Sequence, residues 1–173
     1  MKAMGLSIGL SPVENNMLEE AKAVMAEAKL LNKALLFPVD IVVANDFSDG
    51  AASQIIEMEN GIPEGLQGMD IGAKTLLSWK PVLEQARTIF WNGPVGVFEF
   101  PSFALGTKGL AQIVANCKNA FSIVGGGDSI AAIEQAGLTN KISHVSTGGG
   151  ASLEFIEQGT LPGLAALEKA AKG

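Results

Sequence analysis

Phe121-Ser-Ile-Val-Gly-Gly-Gly-Asp-Ser129 is the stretch on which the fold reading turns. A short apolar run of strand type passes without a linker into three glycines, and helical spacing then holds from Ser129 to about Ala136. The same order occurs twice more. Thr88-Ile-Phe-Trp91 runs into Asn92-Gly-Pro-Val-Gly96, and Ile142-Ser-His-Val145 runs into Ser146-Thr-Gly-Gly-Gly150. Helical stretches follow these loops at about Phe103–Ala115 and Ala151–Glu157, and a last one over Pro162–Lys172 closes the chain. Parallel neighbours need crossover connections, and their strands are buried on both faces, so the alternation predicts an α/β fold: a Rossmann-like parallel sheet flanked by helices. In open sheets of this kind ligands bind beyond the carboxyl ends of the strands, which puts all three glycine loops on one rim.

Upstream, Leu18, Ala21, Val24, Met25 and Ala28 recur at three- and four-residue steps between Asn15 and Leu31, with charged residues between them, and predict an amphipathic helix. Leu35-Leu-Phe37, stopped by Pro38, and Ile41-Val-Val-Ala44 read as two buried strands. Residues 60–72 hold too many glycines for regular structure beyond a brief Met69-Asp-Ile71 extension. Ala73–Ala86 reads as a helix with a weak point at Pro81.

Composition narrows the function. The 173 residues favour a single core. Acids outnumber bases 18 to 12 and Arg87 is the only arginine, which excludes a nucleic-acid binder, whose affinity rests on cationic contacts to phosphates. Cys117 and His144 are each alone, so neither an intrachain disulfide nor a Cys/His zinc cluster can form, and a reducing compartment fits. The start of the chain lacks the pattern of a secretory signal, and no run approaches 18 apolar residues; a soluble cytoplasmic protein without a membrane partner is expected.

The loops offer anion chemistry. A helix N-terminus carries unpaired N–H groups and the positive end of the dipole, and glycines ahead of it let an anion reach the bare backbone. Gly125–Ser129 adds a carboxylate and a hydroxyl suited to a Mg²⁺-bound phosphate, with Asp128 as a hard oxygen ligand. Asp128 or Ser129 acting only as a helix cap is the competing reading, and Ser146 or Thr147 invites the same one in its own loop. Gly148–Gly150 makes the acid-free version of the offer, suited to a more anionic group. In the Asn92–Glu99 loop Pro94 adds stiffness, Val95 and Val97 suit the wall of a flat ring, and Glu99 suits a ribose hydroxyl. No G-x-G-x-x-G, Walker or nucleophile-elbow pattern occurs, and no triad can be built around His144.

With these loops in place the chain resembles phosphoglycerate kinase. The matching stretches are Trp91-Asn-Gly-Pro-Val-Gly-Val-Phe-Glu99 with Gly106-Thr107 behind it, Ile123-Val-Gly-Gly-Gly-Asp-Ser129, His144-Val-Ser-Thr-Gly-Gly-Gly-Ala-Ser-Leu-Glu154 running to Leu161-Pro-Gly163, and Phe37-Pro-Val-Asp40 upstream. That family exchanges a phosphoryl group between 1,3-bisphosphoglycerate with Mg-ADP and 3-phosphoglycerate with Mg-ATP, using an N-terminal domain for the glycerate and a C-terminal one for the nucleotide. The resemblance is to the C-terminal domain, and implies that residues 1–173 are an incomplete three-layer nucleotide domain. It implies that Asn92, Pro94, Val97 and Glu99 line the adenosine site, that Gly126, Gly127, Asp128 and Ser129 surround the phosphates and Mg²⁺, and that Gly127 and Gly149 donate N–H bonds to the phosphoryl group in transit. The implied ligands are ADP, ATP and Mg²⁺, and the implied partner is the missing N-terminal domain of the same enzyme. The family's arginine-rich glycerate site and its nucleotide-domain lysine segment have no counterpart in this sequence, so the chain alone is expected to be inactive. The competing expectation is a non-catalytic module that self-associates through an exposed sheet edge.

Overall fold

The computed structural model describes residues 1–172, and the chain divides into two compact units where its length favours one core. The first comprises Met1–Val82 and Val95–Leu110, the second Leu83–Pro94 and the residues from Ala111 onward.

In the first unit the helix expected near the N-terminus forms as α1, Leu18–Leu30, with no buried residue. The run Ile41–Ala44 lies in β1, Asp40–Ala44, the middle strand of a three-stranded sheet with β2, Ser53–Glu57, and β3, Gln67–Ile71, on either side. Both pairings are antiparallel, so the parallel arrangement predicted from the glycine-loop repeats does not extend to this half. Successive side chains point to opposite faces of a strand, and β1 feeds a core on each. Ile41 and Val43 pack with Met58 and Ile62, while Ala44 packs with Met69 and Phe103.

Leu35–Phe37 is a correction. The run forms no strand, and its three side chains are 39–49% exposed. An apolar run becomes a strand only where its backbone finds a ladder. β2 and β3 already occupy both sides of β1.

α2, Ala73–Gln85, runs through Pro81 unbroken. Its first turn is held by Asp40, whose carboxylate oxygens accept from the N–H groups of Lys74 at 3.0 Å and Thr75 at 2.8 Å. The fully buried Thr75 hydroxyl donates to the same carboxylate at 2.6 Å and accepts from the N–H of Val39 at 3.0 Å. Burial pushes the Asp40 carboxyl up, but these donors and the Lys74 charge outweigh it and hold it below its ordinary value. Asp70 makes a second such clamp. Its Oδ2 accepts from the N–H of Gly106 at 2.7 Å, in the first turn of α3, Leu105–Asn116. Here burial prevails over two N–H bonds, and the carboxyl is pushed up to about 6.

The second unit holds the expected parallel sheet, in the order β4-β5-β6: β4 is Thr88–Asn92, β5 Phe121–Gly125 and β6 His144–Ser146. β6 starts two residues later than the sequence pattern suggests, because Ser143 and Ser122 exchange backbone-to-hydroxyl bonds at 3.0 and 3.1 Å instead of laddering. Helices α4, Gly127–Gln135, α5, Gly149–Gln158, and α6, Pro162–Ala171, follow the strands. Ile89, Trp91, Ser122 and Val124 are buried, whereas Phe90, Ile123 and His144, which share a register row, line an apolar groove of about 400 Å³ with α5 and α6.

Two stability measurements follow. Thr75→Val removes a hydroxyl that serves the buried Asp40 carboxylate and accepts from the buried Asp40 N–H at 3.1 Å, and is expected to cost about 2–3 kcal/mol in urea unfolding, with Thr75→Ser keeping most of the stability; a loss under about 0.5 kcal/mol for the valine variant contradicts the hub role. Between about pH 4 and 6 the native state holds the Asp70 proton more tightly than the unfolded chain, so its contribution to stability falls as pH rises through that window. Compared with Asp70→Asn, the wild type should lose ground from pH 4 to 6 and hold a constant difference above pH 7, whereas a pH-independent difference contradicts the burial of this acid.

Candidate functional site

The glycine loops leave the parallel sheet at the ends of paired residues: Asn92 pairs with Gly125, and Gly125 with Ser146. The loops after β4, β5 and β6 therefore start on one rim, as expected for a parallel sheet. The last two loops touch. A Cβ added to Gly149 would stand 2.5 Å from the N atom and 2.6 Å from the Cα of Gly126, so only glycine permits the approach. Gly126 itself has φ +89° and forms the N-cap of α4. The Asn92 side chain lies over both loops, since a Cβ on Gly126 would be 3.2 Å and one on Gly149 3.5 Å from its Nδ2.

Helix capping is excluded as the purpose of the polar residues here. Neither α4 nor α5 has a side-chain cap bond. The first intrahelical donors are Ile130 to Gly126 O in α4 and Ser152 to Gly148 O in α5. The amides of Gly127, Asp128, Gly149 and Gly150 precede them in the two first turns and take no side-chain cap. Asp128 is exposed and has no hydrogen-bond or ion-pair partner among the described residues. No group of three or more acidic, histidine or cysteine side chains is placed to hold a metal among those residues. One free carboxylate beside uncapped amides nonetheless suits Mg²⁺, which takes one or two carboxylates and completes its shell with phosphate oxygens and water.

Ser129 does something different from its neighbours. It is fully buried, and its Oγ accepts from the N–H of Gly93 at 2.6 Å. The carbonyl of Gly93 accepts from Trp91 Nε1 at 2.6 Å, so this loop residue, at φ +102°, is fixed from both sides. In this conformation the Ser129 hydroxyl ties β4's loop to α4, and the sequence gives no sign of that, because the two residues lie 36 apart.

The boundary between the units falls between Pro94 and Val95. On the first-unit side, Val95 donates to the buried Thr107 Oγ1 at 3.2 Å and Val97 to the carbonyl of Met69 at 2.8 Å. Val97 is half-buried against the core of Ala44, Met69 and Phe103, while Glu99 is exposed. The sequence reading missed Asp70 as part of this arrangement. The available signal was an acid inside an apolar strand with glycine close behind, Met69-Asp-Ile-Gly72.

His144 is exposed on the edge strand β6. Cys117 is buried, and its Sγ lies 3.2 Å from the carbonyl of Ile113 and 3.4 Å from that of Leu83. Burial, with the Glu84 carboxylate adding to it, pushes the thiol up, as befits an inert core cysteine.

Comparison with known proteins gives one consistent answer. A family model described as phosphoglycerate kinase matches residues 1–159. The chain is 52% identical to a phosphoglycerate kinase of Prochlorococcus marinus (strain MIT 9211) over 170 residues, covering 97% of this chain and 42% of that one. It is 49% identical to a chloroplastic phosphoglycerate kinase of Volvox carteri, covering 97% and 37%. The solved phosphoglycerate kinase of Coxiella burnetii superposes with a TM-score of 0.92 at 42% identity, over 99% of this chain and 43% of that one. No helix among the described residues is long and apolar enough to cross a membrane. The chain thus spans about two fifths of the length of these relatives, and over that span it belongs to the phosphoglycerate kinase family.

Proposed function

We propose that this chain carries the Mg-nucleotide side of a phosphoglycerate kinase: it binds ADP or ATP with Mg²⁺ and does not turn over by itself. The observation that carries the reading is the contact between Gly126 and Gly149, which brings two helix N-termini with uncapped amides together beside the Asn92 carboxamide and the free Asp128 carboxylate. Polyphosphate needs many N–H donors and little negative charge around it, and these loops supply that pattern.

In this reading the N–H groups of Gly126 and Gly127 hold phosphate oxygens, and Gly127 and Gly149 donate to the phosphoryl group in transit. Asn92 adds a side-chain donor on the phosphate side, a position its contact with both loops favours over the adenosine site the resemblance assigns it. Asp128 takes Mg²⁺ directly or through a bound water, and the ion when present offsets phosphate charge. Ser129 acts through Gly93 by fixing the loop that carries Asn92 and Pro94. Val97 and Glu99 serve the nucleoside, Val97 against the base and Glu99 at the ribose, as the family resemblance implies. The chain's one arginine, Arg87, cannot clamp the phosphate of a glycerate substrate, and phosphoryl transfer requires both partners to be positioned. Lone Cys117 fits a reducing compartment such as the cytoplasm.

NMR titration of the pure chain with Mg-ADP should shift the amides of Gly126, Gly127, Gly149 and Gly150, with Asp128→Asn weakening binding about tenfold in Mg²⁺ and less with Mg²⁺ chelated. Gly149→Ala should abolish those shifts and lower the melting temperature, whereas Gly127→Ala, whose Cβ meets nothing within 4 Å, should fold normally. Absence of any shift at millimolar Mg-ADP removes the nucleotide reading; steady ATP formation from 1,3-bisphosphoglycerate by the chain alone removes the claim of inactivity.

A second reading, self-association through a sheet edge, is supported by β4, which pairs on one side only. Sedimentation velocity at increasing concentration tests it: a dimer that forms with rising concentration supports edge pairing, and a monomer throughout rejects it.

A further inference from the structure

Asp70 is 4% exposed, and no cation among the described residues offsets its charge: its Oδ1 accepts from the N–H of Ile71 at 2.9 Å and its Oδ2 from the N–H of Gly106 at 2.7 Å. A buried acid of this kind is costly, and an apolar residue of the same volume would be cheaper if packing were its only purpose. Its surroundings show what the acid holds in place. A Cβ on Gly96 or on Gly106 would overlap the Asp70 carboxylate, so a loop residue and a helix residue both close down on it as glycines. The residue before it, Met69, accepts from the N–H of Val97, and the residue after Gly106, Thr107, accepts from the N–H of Val95. Three adjacent positions of the loop, Val95, Gly96 and Val97, are thus seated on Thr107, Asp70 and Met69.

We propose that Asp70 is a positioning residue for nucleoside recognition: by binding the first turn of α3 and seating Gly96, it sets the place of Val97 and Glu99, one and three residues beyond Gly96. The inference rests on the nucleotide reading above and deepens its nucleoside half. Asp70 touches neither base nor ribose; it acts through the loop. The phosphate loops belong to the other unit and have their own anchors in Ser129, Trp91 and the Gly126–Gly149 contact. Loss of Asp70 therefore separates two kinds of affinity. Recognition of the adenosine portion weakens, while recognition of the phosphate chain stays.

The experiment compares wild type, Asp70→Asn and Gly96→Ala in NMR titrations with Mg-ADP and, separately, with Mg-tripolyphosphate, alongside hydrogen exchange of the Val97 and Gly106 amides. Asp70→Asn keeps the volume but replaces one accepting oxygen by a donor, and Gly96→Ala pushes the loop off an intact carboxylate. Both variants should weaken Mg-ADP roughly tenfold, the scale of one lost hydrogen bond to a charged group, and leave Mg-tripolyphosphate within twofold. Their Val97 amide should exchange faster, while that of Gly93 is unchanged. Equal weakening of both ligands marks a general structural role and overturns the proposal, as does unchanged Mg-ADP affinity. If wild type binds neither ligand, the nucleotide reading fails; the exchange data then still decide whether Asp70 seats the loop, and unchanged Val97 exchange rejects that as well.

Discussion

The unpaired N–H groups of a helix's first turn govern how this chain is arranged. Every helix presents several of them, together with the positive end of its dipole, and something must satisfy them. For two helices of the first unit the protein supplies its own anions: Asp40 closes the start of α2 and Asp70 the start of α3, while α1 has no side-chain cap. In the second unit α4 and α5 start on glycine with no side-chain cap, and the only acid in either first turn, Asp128, points to no amide. One electrostatic device is thus used twice. Where it is filled from within, it builds the scaffold, and where it is left open, it suits the anionic ligand proposed for these loops.

The two internal anions are not equivalent, and their surroundings explain why. Burial is the largest single influence on each carboxyl and pushes both up. Asp40 recovers more than that cost through the Thr75 hydroxyl, two backbone N–H groups and the Lys74 charge, so it stays ionised and its contribution to stability is lost only as pH falls through its lowered value. For Asp70 burial prevails over two N–H bonds, and its carboxyl is pushed up to about 6. A residue under that penalty makes sense where placement matters more than stability, which is the role proposed for it beside the Val95–Val97 loop.

The sequence made the second unit readable and left the first largely hidden. Strand, glycine loop and helix follow one another there within some fifteen residues, so local order alone predicts the parallel sheet and the rim. In the first unit the deciding facts are non-local. Ile41–Ala44 reads as a buried strand and is one, but its antiparallel partners come from Ser53–Glu57, which has three exposed positions and no clean alternation, and from a glycine-rich segment. Leu35–Phe37 carries a stronger apolar signal than either and stays unpaired. Composition ranks candidates for burial, but available ladder partners choose among them. At the site, the loops proposed to hold phosphate stand out in the sequence by glycine and acid content. The Ser129–Gly93 tie and the Asp70 seat were not, because each joins positions 36 residues apart.

Helix α1 shows the same limit from the other direction. Its spacing has a clear apolar stripe, yet none of its residues is buried and Val24 is 51% exposed. The stripe therefore did not create the helix by packing. Four alanines with leucine, glutamate and lysine give it high intrinsic propensity, acids at Glu19 and Glu20 suit its N-terminus, and Lys22 pairs with Glu19 one turn back. Local terms suffice to make the helix and leave its apolar side only partly covered, with Leu18, Met25 and Ala28 half-buried and Ala21 and Val24 exposed. Apolar pattern in this chain marks surface available for burial; what buries it is decided by partners the pattern does not name.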